Sequence, residues 1–480
     1  MNQIHPRIRV LNSRQIEQIH QASLNILRKT GVRIDSEKAR KVLLSAGCRN
    51  LKDNRIGIPA DLVDWAIRIA PSDITIYDRY KNPCFKLGVN SRQQPLFGIG
   101  VTNLWYQDPM TDKVIPFLRQ HLQIASLLDS ALDGYDVLST PGVPQDIPAE
   151  SVDLISTLDM LAHTAKPLIL LISNDNVFEK VLDLLKAIVP HLSDYPCIIP
   201  YFNPHTPLVF HAPMTDHLTQ TVNLGLPLIF SSYGMAGAST PAEPDKMLSL
   251  LNAELLAGLV FVQLIKERSP IILGVLPSGF DMRSMTSHYT AESMVLNLAC
   301  AEMMHHYKIP HAGTSGSGPG WGADLTSSGM LWMNHLSSCL GKVGLIPFVG
   351  GNFDSLAFCP QTVIYGDQII RQVRDFANGF PLNLQGFDDP EFDQMVREGS
   401  FLTANETLQS LQKTVNRQKD LWPIYSLNMW RDAGEPDAAV LLKSHTLTLL
   451  QNLQPPADRD QLLDKGRLII QELIKKRPDS

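Results

Sequence analysis

The sequence predicts an α/β protein built on a (β/α)8 barrel, with an N-terminal α/β extension and C-terminal helices. From Pro95 onward, eight short and nearly continuous apolar runs alternate with longer helical patterns. Such runs suit parallel strands covered on both faces. Eight alternations over roughly 280 residues match the size and order of a barrel. The ends of the runs are rich in glycine, Asn, aromatic and hydroxyl residues, and that is where a barrel carries its chemistry.

Residues 1–94 form the extension. Helical patterns fall at Ser13–Thr30, Ser36–Ala46 and Ala60–Ala70, with short strands near Ile74–Tyr77 and Phe85–Gly88. Residues 95–380 hold the barrel strands: Pro95–Val101, Tyr135–Thr140, Pro167–Ser173, Cys197–Phe202, Pro227–Ser232, Ile271–Val275, Ile309–Thr314 and Leu345–Val349. Helical segments between them include Phe178–Ile188, Lys246–Ile265, Ala291–Tyr307 and Leu325–Gly341. Asn174 to Asn176 and Thr290 signal helix starts, because short polar side chains accept from the first free N–H groups. Residues 381–480 are mostly helical, and Pro455–Pro456 break the chain before a last helix. A doubly wound open sheet is the structural rival.

Hydrophobic residues make up 44% and charged residues 19%, as in a globular protein with a large core. A net charge of −6 argues against a general nucleic-acid binder. The first 50 residues carry ten Lys/Arg against three Asp/Glu, read as a solvated face rather than a dock for an acidic partner. Six scattered cysteines without a C-x-x-C pair suggest neither a zinc knuckle nor a disulfide framework. The start MNQIHPRIRV lacks an apolar leader. The longest apolar helix, around Leu255 to Ile265, reads as too short to span a bilayer. A cytoplasmic protein is expected.

The stretch Pro310–Asp324, PHAGTSGSGPGWGAD, holds five glycines and no lysine. It reads as a permissive active-site loop without a phosphate cradle. His305 and His306 are adjacent on a helix and point about 100° apart, so a metal cluster with His311 is not expected. For His311 the pocket and core readings stand level, and His205 in NPHTP is a better pocket candidate. No nucleophile elbow occurs. Glu254, mid-helix among apolar residues, is either structurally paired or a pocket carboxylate. Phe97, Tyr233, Trp321, Phe348 and Phe353 recur near strand ends, which suits a permanently cationic ligand.

In these residues the chain resembles the trimethylamine methyltransferase superfamily of corrinoid-dependent enzymes. The marks are IHQASLNILRKTGVRI, RIGIPADLVDWAIRIAPSDITIYDR, FGIGVTNLWYQD, LAHTAKP, NAELLAG, YKIPHAGTSG and VGGNFDSL, in that order along nearly the whole chain. The resemblance implies a barrel, commonly a homo-oligomer, that passes methyl from an amine to the cobalt of a separate corrinoid protein. Family members acting on trimethylamine carry pyrrolysine shortly after a Y-x-x-P segment. Matching Tyr307 and Pro310 to that segment puts Gly316 at or near the pyrrolysine position. The resemblance therefore points to the branch without pyrrolysine, whose substrates are quaternary amines such as glycine betaine, proline betaine or carnitine. A quaternary ammonium releases a neutral tertiary amine, so no general acid is needed.

None of the 14 histidines has Asp two residues before it, so the D-x-H-x-x-G corrinoid-carrier motif is absent. A corrinoid (cobalamin) would be supplied by a partner protein. Phe97, Tyr233, Trp321, Phe348 and Phe353 are the candidates for a cation cage. His205, Arg283, Asn352 and His311 are the candidates for holding a substrate carboxylate. Gly316, Glu254 and Asp354 are assigned to the catalytic centre, and no metal ligands are assigned. The alternatives are a metal-dependent barrel enzyme and a non-catalytic betaine-binding relative.

Overall fold

The computed structural model describes residues 2–88, 95–314, 318, 320–382, 390–415 and 421–475. Its central strands are β1 (Leu96–Ile99), β2 (Val137–Ser139), β3 (Leu168–Leu170), β4 (Ile198–Phe202), β5 (Leu228–Met235), β6 (Ile271–Asp281), β7 (His311–Ala312) and β8 (Leu345–Val349). Each pairs in parallel with the next, and β8 returns to β1. The sheet is therefore a closed barrel without edges, which an open doubly wound sheet would have. All eight strands expected from the sequence lie on it. β6 runs past Val275, where the sequence reading ended it before Pro277, and folds into a hairpin with Thr286–His288.

Successive strand residues face opposite sides, so each strand splits its apolar run between two cores. Leu96, Val137, Ile169, Ile199, Ile229, Ile272, Ala312 and Leu345, one from each strand, form a buried layer inside the barrel. Ile74, Ile76, Phe85 and Leu87 of the hairpin Asp73–Tyr77/Pro83–Gly88 pack on the same layer. This hairpin belongs to the extension and stoppers the N-terminal end of the barrel. Phe97, Phe230, Leu273 and Ile346 face the other way, into the core shared with the helices.

That outer layer includes α1 (Ser13–Lys29), α2 (Pro244–Ile265), α3 (Ala291–Tyr307), α4 (Leu325–Leu340), α5 (Pro360–Asn378) and α6 (Arg459–Lys475). α1 starts in a capping box, Asn12 accepting from Gln15 N–H while the Gln15 side chain accepts from Asn12 N–H. It binds α2 through Asn252 Nδ2, which donates to Ser23 Oγ at 2.9 Å, and Ser23 Oγ, which donates to the Ser249 carbonyl at 2.9 Å. The length expected for the apolar helix needs correction. α2 has 22 residues, opening on Pro244 in its first turn, and is long and apolar enough to cross a membrane, yet 83% of its apolar window is buried within the protein. Such burial is what a core helix requires.

Strand closure leaves little room at Gly274. A Cβ there would stand 1.7 Å from the carbonyl oxygen of Ala312 on β7. The clash is with backbone, so no rotamer change relieves it. Gly274→Ala should lower stability by on the order of 3 kcal/mol, read as a fall in the denaturant midpoint.

Candidate functional site

With the N-terminal end stoppered, the period of two carries the interior face of each strand upward to the C-terminal mouth. On β4 the residue above Ile199 is Tyr201, which packs on the interior layer. On β5 the interior positions after Ile229 are Ser231 and Tyr233, while Phe230 and Ser232 face the helices. On β8 strict alternation would not bring Phe348 inside. The pairing of β8 with β1 shifts register between Ile346 and Val349, and this irregularity re-aims the side chain. Phe348 is buried with its ring 5.3 Å from Tyr201, edge to face. Tyr289 joins them from the segment between the hairpin and the Thr290 cap of α3. Burial raises its phenol pKa, and Tyr233 and Tyr201 add to the rise, while a hydrogen bond with Thr314 opposes it.

The mouth thus collects Tyr201, Tyr233, Tyr289 and Phe348. Beside them lies the turn after β8. Gly351–Asn352 pairs with Ala357–Phe358, which in turn pairs with Trp105–Gln107 beyond β1. At its tip Phe353, Asp354 and Ser355 have φ of +52°, +50° and +76°. The turn is bound to the glycine-rich stretch: Phe353 N–H donates to Gly320 at 2.9 Å and Asp354 N–H to Gly318 at 3.1 Å. Gly316 lies outside the described residues.

Of the five aromatic residues expected in a cage, Phe348 packs on Tyr201, and Tyr233 falls on the inward side of β5, where it acts through space on Tyr289. Phe97 requires correction: its strand position faces outward, where its ring packs edge to face on His335 and under the Arg374 guanidinium. Trp321 is 75% exposed and Phe353 36%, so both stand on the rim. Among the described residues Trp321 is held through its backbone, by Asp324 Oδ2 at 2.8 Å and Gln107 Nε2 at 2.9 Å. Tyr201 and Tyr289 were missed. The alternation Ile199, Tyr201 carried a signal for the first; Tyr289 precedes a helix cap and carried none.

The four candidates for a substrate carboxylate do not converge. Asn352 is fully buried and committed: its Nδ2 donates to Gln107 at 3.0 Å, and its Oδ1 accepts from Thr362 at 3.2 Å. His205 is exposed beside His211, ring centroids 4.6 Å apart, in a segment whose continuation Val209–Phe210 pairs with the extension strand Val32–Ile34. Arg283 is exposed at the tip of the β6 hairpin. Among the described residues no hydrogen bond or ion pair ties its guanidinium to the four rings. His311 pairs with Leu273 on the outward face of the barrel, so it lies in the core rather than the pocket.

Glu254 also requires correction as a catalytic carboxylate. It is fully buried on α2, outside the barrel wall, and accepts from Thr206 Oγ1 at 2.8 Å, from Leu208 N–H and from Ser232 Oγ. Burial raises its pKa against the opposing pull of those three donors. Its work is to tie the loop after β4 to β5. Among the described residues no cluster of three or more His, Cys, Asp or Glu is placed to hold a metal ion.

A model of the trimethylamine methyltransferase (MTTB) family matches residues 1–478. The chain belongs to that family. It is 23% identical over 465 residues to trimethylamine methyltransferase MttB of Desulfitobacterium hafniense (strain DSM 10664 / DCB-2), covering 95% of this chain and 92% of the relative. It is 25% identical over 423 residues to glycine betaine methyltransferase of Desulfitobacterium hafniense (strain Y51), covering 85% of each. The solved monomethylamine methyltransferase of Methanosarcina barkeri aligns over 96% of this chain and 92% of its own, with TM-score 0.49 and 9% identity. The chain is therefore a methyltransferase by family, on a barrel whose mouth is lined by tyrosines.

Two outcomes follow for the residues moved out of the site. Glu254→Ala leaves Thr206, Leu208 N–H and Ser232 without their acceptor and should cost on the order of 3 kcal/mol, measured by denaturation. Among the described residues neither ring nitrogen of His311 has a hydrogen-bond partner, and burial pushes its pKa down to about 3. The unfolded chain therefore binds the proton more readily, between an unfolded pKa of about 6.5 and the folded value. Its contribution to stability is complete above pH 6.5 and declines as pH falls toward 3, by up to about 1.4 kcal/mol per pH unit. His311→Leu should flatten the stability-versus-pH curve in that window by one proton relative to wild type.

Proposed function

We propose that this methyltransferase takes a methyl group from a quaternary amine of the betaine type and passes it to the Co(I) corrinoid of a separate corrinoid protein. The carrying observation is the cluster of Tyr201, Tyr233, Tyr289 and Phe348 at the barrel mouth. Aromatic faces carry negative charge in their quadrupole and hold a desolvated cation without a rigid directional bond. Burial raises the phenols of Tyr201 and Tyr289, so they stay neutral and offer ring faces and hydroxyls. Gly316 stands in the sequence about where relatives carry pyrrolysine, and the likeness to a glycine betaine methyltransferase supports the same branch.

The chemistry asks little acid or base of this chain. When methyl departs from a quaternary nitrogen, the electron pair of the C–N bond stays on nitrogen and a neutral tertiary amine leaves. The residues at the mouth need to hold the ammonium with one methyl group outward and to exclude water. Orientation of that kind is worth up to about 10⁵ M or more in effective molarity. The corrinoid, when its carrier docks, supplies the nucleophilic Co(I) that accepts the methyl group.

The rim fits such a partner. Leu104, Trp321, Phe353 and Leu356, on loops beyond β1, β7 and β8, and Leu325, at the start of α4, are all exposed. Those loops are knit together by Leu104 N–H to Leu356 at 3.2 Å and Phe353 N–H to Gly320 at 2.9 Å. They form an apolar edge suited to a flat macrocycle and its carrier. All six cysteines are unpaired and five are buried, which supports a reducing, cytoplasmic setting.

The deciding experiment offers purified protein Co(I) cobalamin and a panel of amines, and follows methylated cobalamin by its absorbance. Methyl transfer from at least one of glycine betaine, proline betaine or carnitine, and none from trimethylamine, is the expected result. Transfer from trimethylamine alone would overturn the proposal. Tyr233→Leu should raise KM for the quaternary amine about tenfold, because one ring face of the cage is lost.

A further inference from the structure

We propose that Asp354 is the counter-charge of the ammonium site, the residue by which the mouth selects a cation over an uncharged group of the same shape. The inference rests on the quaternary-amine reading above and deepens it. Three observations carry it.

The first is an unfilled valence. Asp354 Oδ1 is buried and, among the described residues, has no hydrogen-bond partner. A buried carboxylate oxygen without a donor is costly, and native structures retain such a group where a ligand or strain explains it. The second is placement. The Tyr289 backbone N–H faces the Asp354 carboxyl, and the charge of Asp354 is felt at the Tyr289 phenol, which also feels Tyr233 and Tyr201. The carboxylate therefore lies beside Tyr289, one member of the tyrosine cluster, whereas Glu254, with three donors, is part of the wall.

The third is the backbone. Phe353, Asp354 and Ser355 occupy the left-handed region in succession, none of them glycine. That region is sparsely used by side-chain-bearing residues and persists where surrounding bonds enforce it. The enforcing bonds run from Phe353 and Asp354 N–H to Gly320 and Gly318. The strained turn holds one small acidic side chain at a fixed place beside Tyr289. Burial favours its neutral form, and His288, which acts on it through space without a hydrogen bond, opposes that. A bound ammonium would favour the ionised form directly, since opposite charges at close range stabilise each other in a desolvated site.

Aromatic faces alone attract a trimethylammonium group by a modest margin over a tert-butyl group of the same size. A carboxylate adds a full opposing charge and so sets the selectivity. The test measures binding of glycine betaine and of its uncharged-head isostere 3,3-dimethylbutanoate, to wild type and Asp354→Asn, by titration calorimetry. Asn suits the left-handed conformation, so the variant should keep its melting temperature. Asp354→Ser serves as a second variant of small size.

Wild type should prefer the ammonium compound, and Asp354→Asn should weaken it on the order of tenfold or more while leaving the isostere within about twofold of its wild-type affinity. Equal weakening of both ligands by both variants, or no weakening of either, would overturn the inference while the methyl-transfer assay still stood. Failure of wild type to bind or demethylate any quaternary amine would overturn both, and the assay separates the two cases.

Discussion

The buried layer inside the barrel decides where chemistry can occur. Eight strands each contribute one apolar side chain, and the hairpin Asp73–Tyr77/Pro83–Gly88 adds Ile74, Ile76, Phe85 and Leu87 from below. That plug is apolar and buried, so it closes the N-terminal end to a ligand. Above it the same inward-facing positions change character within one step, from Ile199 to Tyr201 and from Ile229 to Ser231. A barrel has no edges at which to place a site, and its interior is filled here up to the level of Ala312. The C-terminal mouth is what remains.

Much of the barrel was legible because its strands are short apolar runs bounded by glycine, proline and polar residues, and all eight were found. The exact reach of β6 was not, since Pro277 looks like a stop. In fact β6 continues beside β5, Gly234 opposite Pro277, and then turns outward as a hairpin. α2 was underestimated for a related reason. The helical segment read from Lys246 in fact begins at Pro244, whose place in the first turn allows the helix to start there.

The site was only partly legible, and the failures share a cause. Whether a strand residue points into the barrel depends on register, which sequence leaves open by one residue. Phe97 and His311 fall on the outward face, while Tyr233 falls inside by the same rule. Phe348 is inside only because β8 slips against β1, a feature of pairing between distant segments. Glu254 and Asn352 were chosen as polar residues in telling segments. Their partners come from elsewhere in the chain, and those partners use them up. Tyr289 owes its place to the hairpin that precedes it and had no local pattern to betray it.

The carboxylates Glu254 and Asp354 show how partner number separates structural from ligand-directed acids. Both are pushed toward the neutral form by burial. Glu254 answers with three donors, two from the loop after β4 and one from β5, and so closes on itself. Asp354 leaves one buried oxygen without a donor among the described residues, on a backbone that hydrogen bonds to the glycine-rich stretch hold in the left-handed region. The glycines at 318 and 320 matter to this turn chiefly through the carbonyls they offer it. A stretch read from sequence as permissive is thus, at Gly318 and Gly320, an acceptor edge for the turn that carries Asp354. That gives the loop a mechanical part in the site, whatever occupies the mouth.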